Sequence, residues 1–362
     1  MKVWFHAASV GEVNALKPLI NLFSSQGHSY ILTAYTSSGA RHASKLYPDS
    51  RVYKYPYVDN PFFVKKLIRE EKPDLLIIAE TELWPFLISE SVKLGLKAYI
   101  VNGRISDKTF RTYYRFRWLF GKLLKKLSQI YTKSDKHRRR FLLLGARDAK
   151  FVGDLKVDAV MTPVEPIQRH QLGFSDEDIL ITFGSVRSKE FPHILSALRN
   201  MKGLYKFVIA PRHLANVPQL ERKLREEGFT VTTRTNPRGG ADIVILNTMG
   251  ELRSIYSISD IAFVGGTLED YGGHNILEPL FFGIPTIIGQ FYWNVREEAH
   301  YFKRKKAIFV VEDWQELVET IKFIVKNPSI NNHVREVSQE FFRIYGNASQ
   351  KIYEDIIGTK ER

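Results

Sequence analysis

Short apolar runs alternate with longer amphipathic stretches along the first half of the sequence. The apolar runs VWFHA, YILTAY, DLLIIAE and KAYIVNG have the length and composition of β-strands. Between them lie stretches such as GEVNALKPLINLFSSQG, whose apolar residues recur at helical spacing and which ends on Gly27. Strands that alternate with helices at this spacing predict a parallel sheet covered by helices.

The second half repeats this alternation after an interruption. Its apolar runs are DILITFGS, YKFVIAPRH, FTVTT, DIVILNT, DIAFVGG, PTIIG and AIFVVE. Two prolines break the stretch 161–173, so we expect a domain boundary there. A length of 362 residues suits two domains of this α/β class. The last stretch, 331–357, predicts an amphipathic helix that packs on the second domain or crosses back to the first.

Polar segments follow five of the predicted strands. They are TELWP, GSVRSKE at 184–190, PRH at 211–213, TMGEL at 248–252 and the glycine-rich segment 265–285. The carboxyl ends of parallel strands meet at one edge of a sheet, where α/β proteins bind ligands. The five segments are therefore expected to line binding crevices.

The glycine-rich segment carries the most specific pattern. Gly265, Gly266, Gly272 and Gly273 allow the backbone to approach a ligand closely, and Asn275 then starts a predicted apolar helix. The amino end of that helix suits a phosphate, and Glu278, one turn in, suits two ribose hydroxyls. The alternative is a glycine turn with Asn275 as helix cap and Glu278 as a first-turn acid. No GxGxxG or GxxxxGK[ST] pattern occurs, which argues against nicotinamide dinucleotides and P-loop chemistry.

Three weaker candidates keep two interpretations each. Gly184–Ser185 either holds a phosphate on the following helix or simply caps it. Arg212 either pairs with a phosphate or makes a surface salt bridge. Met249 and Gly250 either contact a nucleotide base or, for Met249, fill the core.

Composition excludes several classes of protein. The chain has no cysteine, so disulfides, thiolate zinc sites and cysteine nucleophiles are ruled out. No uncharged apolar run reaches the roughly 18 residues of a membrane span. A hydrophobic content of 44% with 25% charged residues is typical of a soluble globular protein.

The net charge of +14 lies entirely in the first half of the chain. Residues 1–155 hold 27 Lys and Arg against 13 Asp and Glu, whereas residues 156–362 hold 26 of each. Residues 104–150 alone hold 15 bases and 3 acids. This asymmetry predicts an anionic partner for the first domain only: a phosphorylated substrate, a membrane surface or nucleic acid.

The segment 111–130 concentrates this charge. It has six bases and no acid, and we predict one helix there, with an apolar face that lies on an anionic membrane. The alternative is a helix with its apolar face in the core and its bases in water. No known nucleic-acid motif accompanies the charge, so no nucleic-acid partner is expected. The predicted apolar face comprises Tyr113, Phe116, Phe120, Leu123, Leu124 and Leu127. The predicted membrane contacts are Arg115, Arg117, Lys122 and Lys125.

Six motifs in order resemble the 3-deoxy-D-manno-octulosonic acid (Kdo) transferase family, and together they cover nearly the whole chain. They are HAASVGE at 6–12, ETELWP at 80–85, NGR at 102–104, APRH at 210–213, MGEL at 249–252 and GGHNILEP at 272–279. The resemblance implies a GT-B glycosyltransferase, with two Rossmann-like parallel-sheet domains facing across a cleft. Residues 1–160 would form the basic acceptor domain, 161–335 the donor domain, and 336–362 a helix that packs back on the first domain.

The resemblance also implies a reaction and a location. Kdo would pass with inversion from CMP-Kdo to lipid IVA, the phosphorylated lipid A precursor, in lipopolysaccharide biosynthesis, without a metal or other cofactor. The expected place is the cytoplasmic face of a Gram-negative inner membrane, reached peripherally or through an N-terminal apolar anchor. Family members usually carry that anchor before the first strand, and we expect it to have been removed or lost here. A monomer without a nucleic-acid partner is expected.

The resemblance assigns roles residue by residue. Glu12 matches the catalytic base, and Glu82 and Lys156 match positions that support the transition state. The CMP site would comprise Pro211, Arg212, Met249, Gly250, Glu251, Asn275, Ile276, Leu277 and Glu278. Further phosphate or sugar contacts are expected at Ser9, Gly11, Gly184, Ser185 and Gly273. The stretch GSVRSKE keeps Gly184, Ser185 and Glu190 of the family's GSTHxGEE-like pattern but lacks its Thr-His pair.

The residues themselves are consistent with this mechanism. A carboxylate on the first loop can accept the proton of an acceptor hydroxyl, and a helix amino terminus would keep Glu12 ionised. Arg212 and the helix near Asn275 can stabilise the charge of a leaving phosphate. As a structural alternative, Ser9 caps the first helix and Glu12 is a first-turn acid. Two other functions stay open: a GT-B transferase or epimerase acting on a UDP-sugar, and a non-catalytic protein that binds anionic membranes or nucleic acid.

Overall fold

The computed structural model of the protein describes residues 1–358. The chain divides into two compact units. Unit 1 comprises Met1–Met161 and the chain from Arg343 onward, and unit 2 comprises Thr162–Phe342. Each unit contains one seven-stranded sheet in which every strand pair is parallel. The predicted α/β class with two parallel sheets is thereby confirmed.

Unit 1 has the strand order β3-β2-β1-β4-β5-β6-β7. The strands are β1 (Lys2–Ala7), β2 (Ser29–Ala34), β3 (Arg51–Lys54), β4 (Leu75–Ala79), β5 (Lys97–Gly103), β6 (Gln129–Thr132) and β7 (Lys150–Phe151). The helices are α1 (Val10–Ser25), α2 (Ser37–Leu46), α3 (Pro61–Glu71), α4 (Pro85–Lys93), α5 (Asp107–Arg115), α6 (Arg117–Leu124), α7 (Asp135–Leu143) and α8 (Leu155–Met161). The chain order reverses between the neighbouring strands β1 and β4, which is where such sheets open a ligand crevice.

Unit 2 has the strand order β10-β11-β9-β8-β12-β13-β14. The strands are β8 (Leu180–Val186), β9 (Lys206–Pro211), β10 (Val231–Thr233), β11 (Ile243–Ile245), β12 (Ile261–Val264), β13 (Thr286–Gly289) and β14 (Phe309–Val311). The helices are α9 (Phe191–Arg199), α10 (Val217–Glu226), α11 (Leu252–Ser257), α12 (Leu277–Phe281), α13 (Arg296–Arg304) and α14 (Trp314–Lys326). Short 3-10 helices cover Arg169–Leu172, Ser188–Glu190, Leu214–Asn216 and Trp293–Val295. Here the order reverses between β8 and β12.

The chain ends in two helices, α15 (Ser329–Tyr345) and α16 (Ala348–Gly358). The stretch 331–357 is helical as predicted, but the expectation of one helix is wrong, because Asn347 takes a left-handed backbone conformation (φ 57°) between α15 and α16. Ile352 and Ile356 of α16 are buried in the same cluster as Phe23 of α1. Positions 359–362 of the predicted terminal helix lie outside the described residues.

The central strands are apolar on both faces because helices cover both sides of each sheet. In β1, Phe5 packs in one buried cluster and Trp4 in the other.

Sequence reasoning missed β3, β6 and β7, which are short and carry polar residues that mask the strand pattern. No helix within residues 1–358 is both long and apolar enough to cross a membrane.

The single helix predicted over 111–130 is also wrong. Helix α5 ends at Arg115, and α6 begins at Arg117 after a break at Phe116 (φ −108°, ψ 29°). The break brings the rings of Tyr113 and Phe120 into a stack with centroids 4.1 Å apart. Aromatic and β-branched residues in this segment favour helix weakly, so side-chain packing decides its path. The segment's last residues belong to β6.

Candidate active site

The loop after β1 places Glu12 in the first turn of α1. Ser9 is the helix cap, and its hydroxyl oxygen accepts a hydrogen bond from the backbone N–H of Glu12 at 3.4 Å. The carboxylate of Glu12 reaches back and accepts the backbone N–H of Ala8 at 2.5 Å. The predicted cap at Ser9 and first-turn acid at Glu12 are both confirmed.

Glu12 is poised to accept a proton near neutral pH. Its side chain is buried, and burial raises the pKa of its carboxyl to about 7. The nearby negative charges of Glu82 and Glu80 raise this pKa further, whereas the hydrogen bond from Ala8 lowers it. The helix amino terminus is expected to keep Glu12 ionised, but burial raises the pKa of the carboxyl although Glu12 lies in the first turn of α1.

The loops after β4 and β5 border the same sheet edge and are tied together. The hydroxyl of Thr81 donates to the carbonyl of Arg104, and the backbone N–H of Arg104 returns a bond to the Thr81 hydroxyl at 3.2 Å. Glu80 adopts a left-handed backbone conformation (φ 53°) directly after β4. This turn lets the buried carboxylate of Glu80 meet cations from other loops.

Glu80 joins two cations at this edge. Arg104 Nε donates to Glu80 Oε2 at 2.6 Å, and Lys156 Nζ lies 3.4 Å from Glu80 Oε1. Lys156 is held at the start of α8, where Leu155 N–H donates to the Asn102 side chain at 3.1 Å. Lys156 thus lies beside Glu80, a residue that sequence reasoning left without a role. Glu80 follows a buried strand directly, and this position in the sequence could have indicated a place in the site.

Glu82 completes a group of three carboxylates. It is half-buried, and burial together with the charge of Glu80 raises the pKa of its carboxyl. Burial and the charge of Glu82 likewise raise the pKa of Tyr113, which places α5 near this edge. Glu12, Glu80 and Glu82 therefore lie within electrostatic range of one another, and Glu80 pairs with Lys156 and Arg104.

His6, which the sequence left unassigned, is a core residue. It is fully buried, and its Nδ1 lies 2.8 Å from the Thr33 hydroxyl, which also accepts a bond from Trp4 Nε1 at 2.8 Å. Burial lowers the pKa of the His6 imidazole to about 3. At neutral pH this ring is uncharged, so it supports the sheet rather than the chemistry.

In unit 2, a buried carboxylate shapes the edge of the sheet. Glu190 is fully buried and accepts backbone N–H groups from Gly266 at 2.7 Å, Thr267 at 3.0 Å and Leu268 at 3.1 Å. It also accepts the backbone N–H of Arg187 at 2.8 Å. Glu190 therefore holds the loop after β12 against the loop after β8, and sequence reasoning gave it no such role.

Two positions at this edge have no room for a Cβ and are occupied by glycine. A Cβ on Gly184 would lie 1.8 Å from the Tyr256 hydroxyl, and one on Gly265 would lie 2.7 Å from the Cα of Val186. Ser185 itself takes a left-handed conformation (φ 56°) at the end of β8, so it does not act as a helix cap. The helix-cap alternative for Gly184–Ser185 is therefore wrong.

The segments after β9 and β11 bring polar and exposed apolar groups to this edge. The backbone of Arg212 bonds to Val186 at 2.8 Å, and its side chain is exposed beyond the buried Pro211. Met249 is 69% exposed, so the interpretation of Met249 as core filler is wrong. Glu251 forms an ion pair with Arg234 at 3.0 Å and is less available to a ligand.

The GGHNILEP segment folds differently from its predicted form. Helix α12 has five residues and begins at Leu277, so Glu278 lies in its first turn rather than one turn in. Asn275 accepts the Leu277 N–H at 3.1 Å and donates to Glu278 Oε1 at 3.1 Å. Burial raises the pKa of Glu278, which Asn275, Arg253 and Arg212 counteract.

The other predicted donor contacts are Ile276, Leu277, Gly273 and Gly250. Ile276 and Leu277 are buried, and the N–H of Leu277 is bonded to the Asn275 side chain. Gly273 has a left-handed backbone (φ 85°) and donates its N–H to the Gly266 carbonyl at 2.7 Å. Gly250 (φ 90°) is exposed beside Met249. Within residues 1–358, no group of three His, Asp or Glu side chains is arranged to hold a metal ion.

Each unit thus offers a distinct chemistry. Unit 1 presents the Glu12 carboxyl, with a pKa near neutrality, in electrostatic range of Glu80, which pairs with two cations; a base of this pKa suits proton abstraction from a hydroxyl. Unit 2 presents an exposed arginine and an exposed methionine after its strands, which suits a nucleotide.

Family models match both units. The model described as "3-Deoxy-D-manno-octulosonic-acid transferase (kdotransferase)" matches residues 1–159. The model described as "Glycosyl transferases group 1" matches residues 165–341.

Similar proteins match almost the whole chain. A 3-deoxy-D-manno-octulosonic acid transferase of Aquifex aeolicus is 30% identical over 357 residues, covering 94% of this chain and 94% of that protein. A bifunctional glycosyltransferase/methyltransferase of Fusobacterium nucleatum is 34% identical over 352 residues and covers 93% of this chain. The chain spans only 55% of that Fusobacterium protein.

Solved structures share the fold. The MurG crystal structure from Acinetobacter baumannii superimposes with a TM-score of 0.64 at 12% identity, covering 99% of each chain. This likeness, with the two parallel sheets, establishes the GT-B fold.

Proposed function

The chain belongs to the 3-deoxy-D-manno-octulosonic acid transferase family of glycosyltransferases, and from that membership we propose that it transfers Kdo from CMP-Kdo to a phosphorylated lipid A precursor. The observation that carries the proposal is the buried Glu12 carboxyl, whose pKa of about 7 fits a general base. The acceptor is lipid IVA, and the product inverts the configuration of the transferred sugar. No metal or other cofactor takes part.

Glu12 removes the proton of the acceptor hydroxyl as that oxygen bonds to the anomeric carbon of Kdo. The bond from that carbon to the CMP phosphate breaks at the same time, and CMP leaves with the electron pair. A carboxylate with a pKa near the working pH is basic enough to take the proton, and about half of it is ionised at that pH. The hydrogen bond from Ala8 holds its orientation.

Lys156 and Glu82 support the transition state from the same edge. As the anomeric bond breaks, positive charge develops on the sugar ring, and a nearby carboxylate such as Glu82 stabilises it. Lys156 is anchored by Glu80 at 3.4 Å, and its side chain remains 46% exposed and reachable by substrate. Ser9 and Gly11 leave room beside Glu12 for the acceptor sugar.

Unit 2 binds the CMP portion of the donor. Arg212 stabilises the phosphate as negative charge moves onto it, and its exposed side chain has the fork geometry that phosphate oxygens favour. Glu278, oriented by Asn275, accepts hydrogen bonds from the ribose hydroxyls. Met249 provides an exposed apolar surface for the base. Backbone groups at Pro211, Gly250, Glu251, Ile276 and Leu277 complete this site, with Gly184, Ser185 and Gly273 beside it.

The lipid acceptor and the membrane meet unit 1 at α5 and α6. Trp118 and Leu119 are 64% and 52% exposed, and Arg115 and Arg117 are exposed next to them. Helix α5 has no buried residue. Exposed aromatic and aliphatic side chains among bases favour the interface of an anionic bilayer, which corresponds to the cytoplasmic face of a Gram-negative inner membrane.

Neutralising this surface should release the protein from anionic vesicles. Replacing Arg115, Arg117, Lys122 and Lys125 with Gln removes about 1 kcal/mol of membrane attraction for each base near the surface. In a sedimentation assay with phosphatidylglycerol vesicles, bound protein should fall at least about tenfold at low salt.

A matched variant controls for net charge. Replacing the exposed Arg41, Lys45, Arg69 and Lys72 of unit 1 with Gln changes the charge equally elsewhere. This control should bind vesicles nearly as the wild type does. Equal losses in both variants would reject a specific membrane surface at α5 and α6.

The rate of transfer should fall as the pH drops below about 7. Protonated Glu12 cannot accept the acceptor proton, so kcat/KM should decline about tenfold per pH unit on the acid side. The measurement is kcat/KM between pH 5.5 and 9, with donor stability checked at each pH. A profile that stays flat down to pH 5.5 would show that the base titrates near an ordinary carboxyl pKa.

The decisive test combines the purified protein, CMP-Kdo and lipid IVA, with mass spectrometry of the lipid. A mass increase equal to Kdo supports the proposal and also counts the sugars added. UDP-sugars in place of CMP-Kdo test the alternative GT-B activity. Lipid IVA left unmodified by CMP-Kdo but changed by a UDP-sugar would overturn the proposal.

A further inference from the structure

Arg187, at the end of β8, makes an unusual set of contacts for a half-buried arginine. Its Nε donates to His274 Nε2 at 3.2 Å, and its Nη1 lies 3.1 Å from His213 Nε2. Its guanidinium also lies over the Tyr271 ring, 5.0 Å from the centroid. These contacts fix the plane of the guanidinium. The segment differs from the usual family pattern at this position, so family membership gives Arg187 no role.

The charge of Arg187 has no counter-ion in the described part of the chain. No carboxylate between residues 1 and 358 pairs with it; its side-chain contacts are the two imidazoles and the Tyr271 ring. Both imidazoles meet the guanidinium through Nε2, and a guanidinium can only donate hydrogen bonds. Burial, and then the charges of Arg187 and Arg212, lower the pKa of His274 to about 4, which keeps that ring neutral.

The guanidinium keeps hydrogen-bond donors for a ligand. Of its five N–H groups, two are used by the imidazoles, which leaves one on Nη1 and two on Nη2. A planar fork of this kind matches a carboxylate in a bidentate pair. Arg212 lies close enough for its charge to act on the same imidazole, so two cations lie near His274. Such a pair is stabilised when anions bind between or beside the two groups.

We propose that Arg187 binds the carboxylate of the donor's sugar acid, while Arg212 binds the donor phosphate; this inference rests on the proposed Kdo transfer. A CMP-linked sugar acid carries two anionic groups, one on each side of the bond that breaks. The backbone N–H of Arg212 bonds to the Val186 carbonyl at 2.8 Å, so the two arginines follow neighbouring strands. Arg187 thereby selects donors whose sugar carries a carboxylate over donors with neutral sugars.

Kinetics with two ligands separate the two anions. CMP carries the phosphate alone, whereas CMP-Kdo carries the phosphate and the carboxylate. Replacing Arg187 with Ala should raise the KM for CMP-Kdo about tenfold or more, while the inhibition constant of CMP stays within about twofold. Arg187→Lys keeps the charge without the planar fork and should recover only part of the loss. Lys189→Ala, which removes an exposed base two residues away, is the matched control and should behave as the wild type.

Each alternative outcome has a distinct meaning. Equal rises in the KM for CMP-Kdo and the inhibition constant of CMP would place Arg187 on the phosphate and overturn the proposal. Unchanged constants, or losses that follow a lower melting temperature in both Arg187 variants, would also overturn it. If the wild type itself fails to use CMP-Kdo, the proposed function fails and this inference falls with it. If the wild type transfers Kdo but the Arg187 variants raise the KM for CMP-Kdo and the inhibition constant of CMP equally, only the role of Arg187 is overturned.

Discussion

Glu12→Gln should fold as the wild type does and lose most of its transferase activity. The amide keeps the size of the side chain and an oxygen that accepts the Ala8 N–H, but it cannot take a proton. Loss of a general base costs about 10²–10⁴ in rate. The measurement is kcat with saturating CMP-Kdo and lipid IVA. A variant that retains more than about a tenth of wild-type kcat would show that Glu12 is not the base.

The stability of this variant makes the loss interpretable. The pKa of Glu12 is raised in the folded protein, so the ionised carboxyl destabilises the fold once the pH rises through about 7. Gln carries no such charge, and Glu12→Gln should therefore melt at the wild-type temperature or above it at pH 8. The matched control is Glu70→Gln, which makes the same change on an exposed residue of unit 1 and should leave both activity and melting unchanged.

Glu190→Gln should destabilise unit 2 and weaken donor binding. Two backbone N–H groups bond to each carboxylate oxygen of Glu190, so an amide nitrogen in place of one oxygen faces two donors. Each buried N–H left unpaired costs about 1–3 kcal/mol, so the total is about 2–6 kcal/mol. A loss of this size should lower the melting temperature of unit 2 by about 5–15 °C.

Two measurements distinguish this structural role from a surface effect. Differential scanning calorimetry should show a lower transition for unit 2, and titration calorimetry with CMP should show weaker binding at a temperature where the variant remains folded. Glu177→Gln is the control, since it makes the same change on an exposed residue of unit 2 and should leave both quantities unchanged. Wild-type melting and CMP affinity in Glu190→Gln would refute the proposed support of the loop after β12.

The two predictions connect the two halves of the reaction. Glu12 acts through its charge on the acceptor. Burial makes its carboxylate a stronger base, and the same burial makes the ionised form destabilise the fold. Glu190 contacts no substrate in the proposal and acts by holding the loop Gly266–Leu268 beside Arg187. Glu12→Gln should therefore lose activity while its folding stays intact. Glu190→Gln should lose stability and, as a result, donor binding.

The fold class was readable from the sequence because it depends on local repetition. Buried strands are apolar whichever neighbour they pair with, and their spacing by helices already implies parallel pairing. The short strands β3 and β6 escaped detection because RVYK and QIYT mix polar residues with apolar ones. Their strand conformation depends on hydrogen bonds to β2 and β5, which no local pattern reveals.

The sequence by itself determined which residues could carry chemistry: Glu12 after the first strand, Arg212 within PRH and the glycines before Asn275. Only the tertiary structure decided their pKa values and the residues that they contact. Burial beside Glu80 and Glu82 raises the pKa of Glu12 against the expectation from its helix terminus. Glu80, Glu190 and Arg187 emerged as supporting groups for the same reason: their partners lie tens of residues away in the chain. Electrostatic environment is set by groups that folding brings together, and a linear pattern records only the neighbours along the chain.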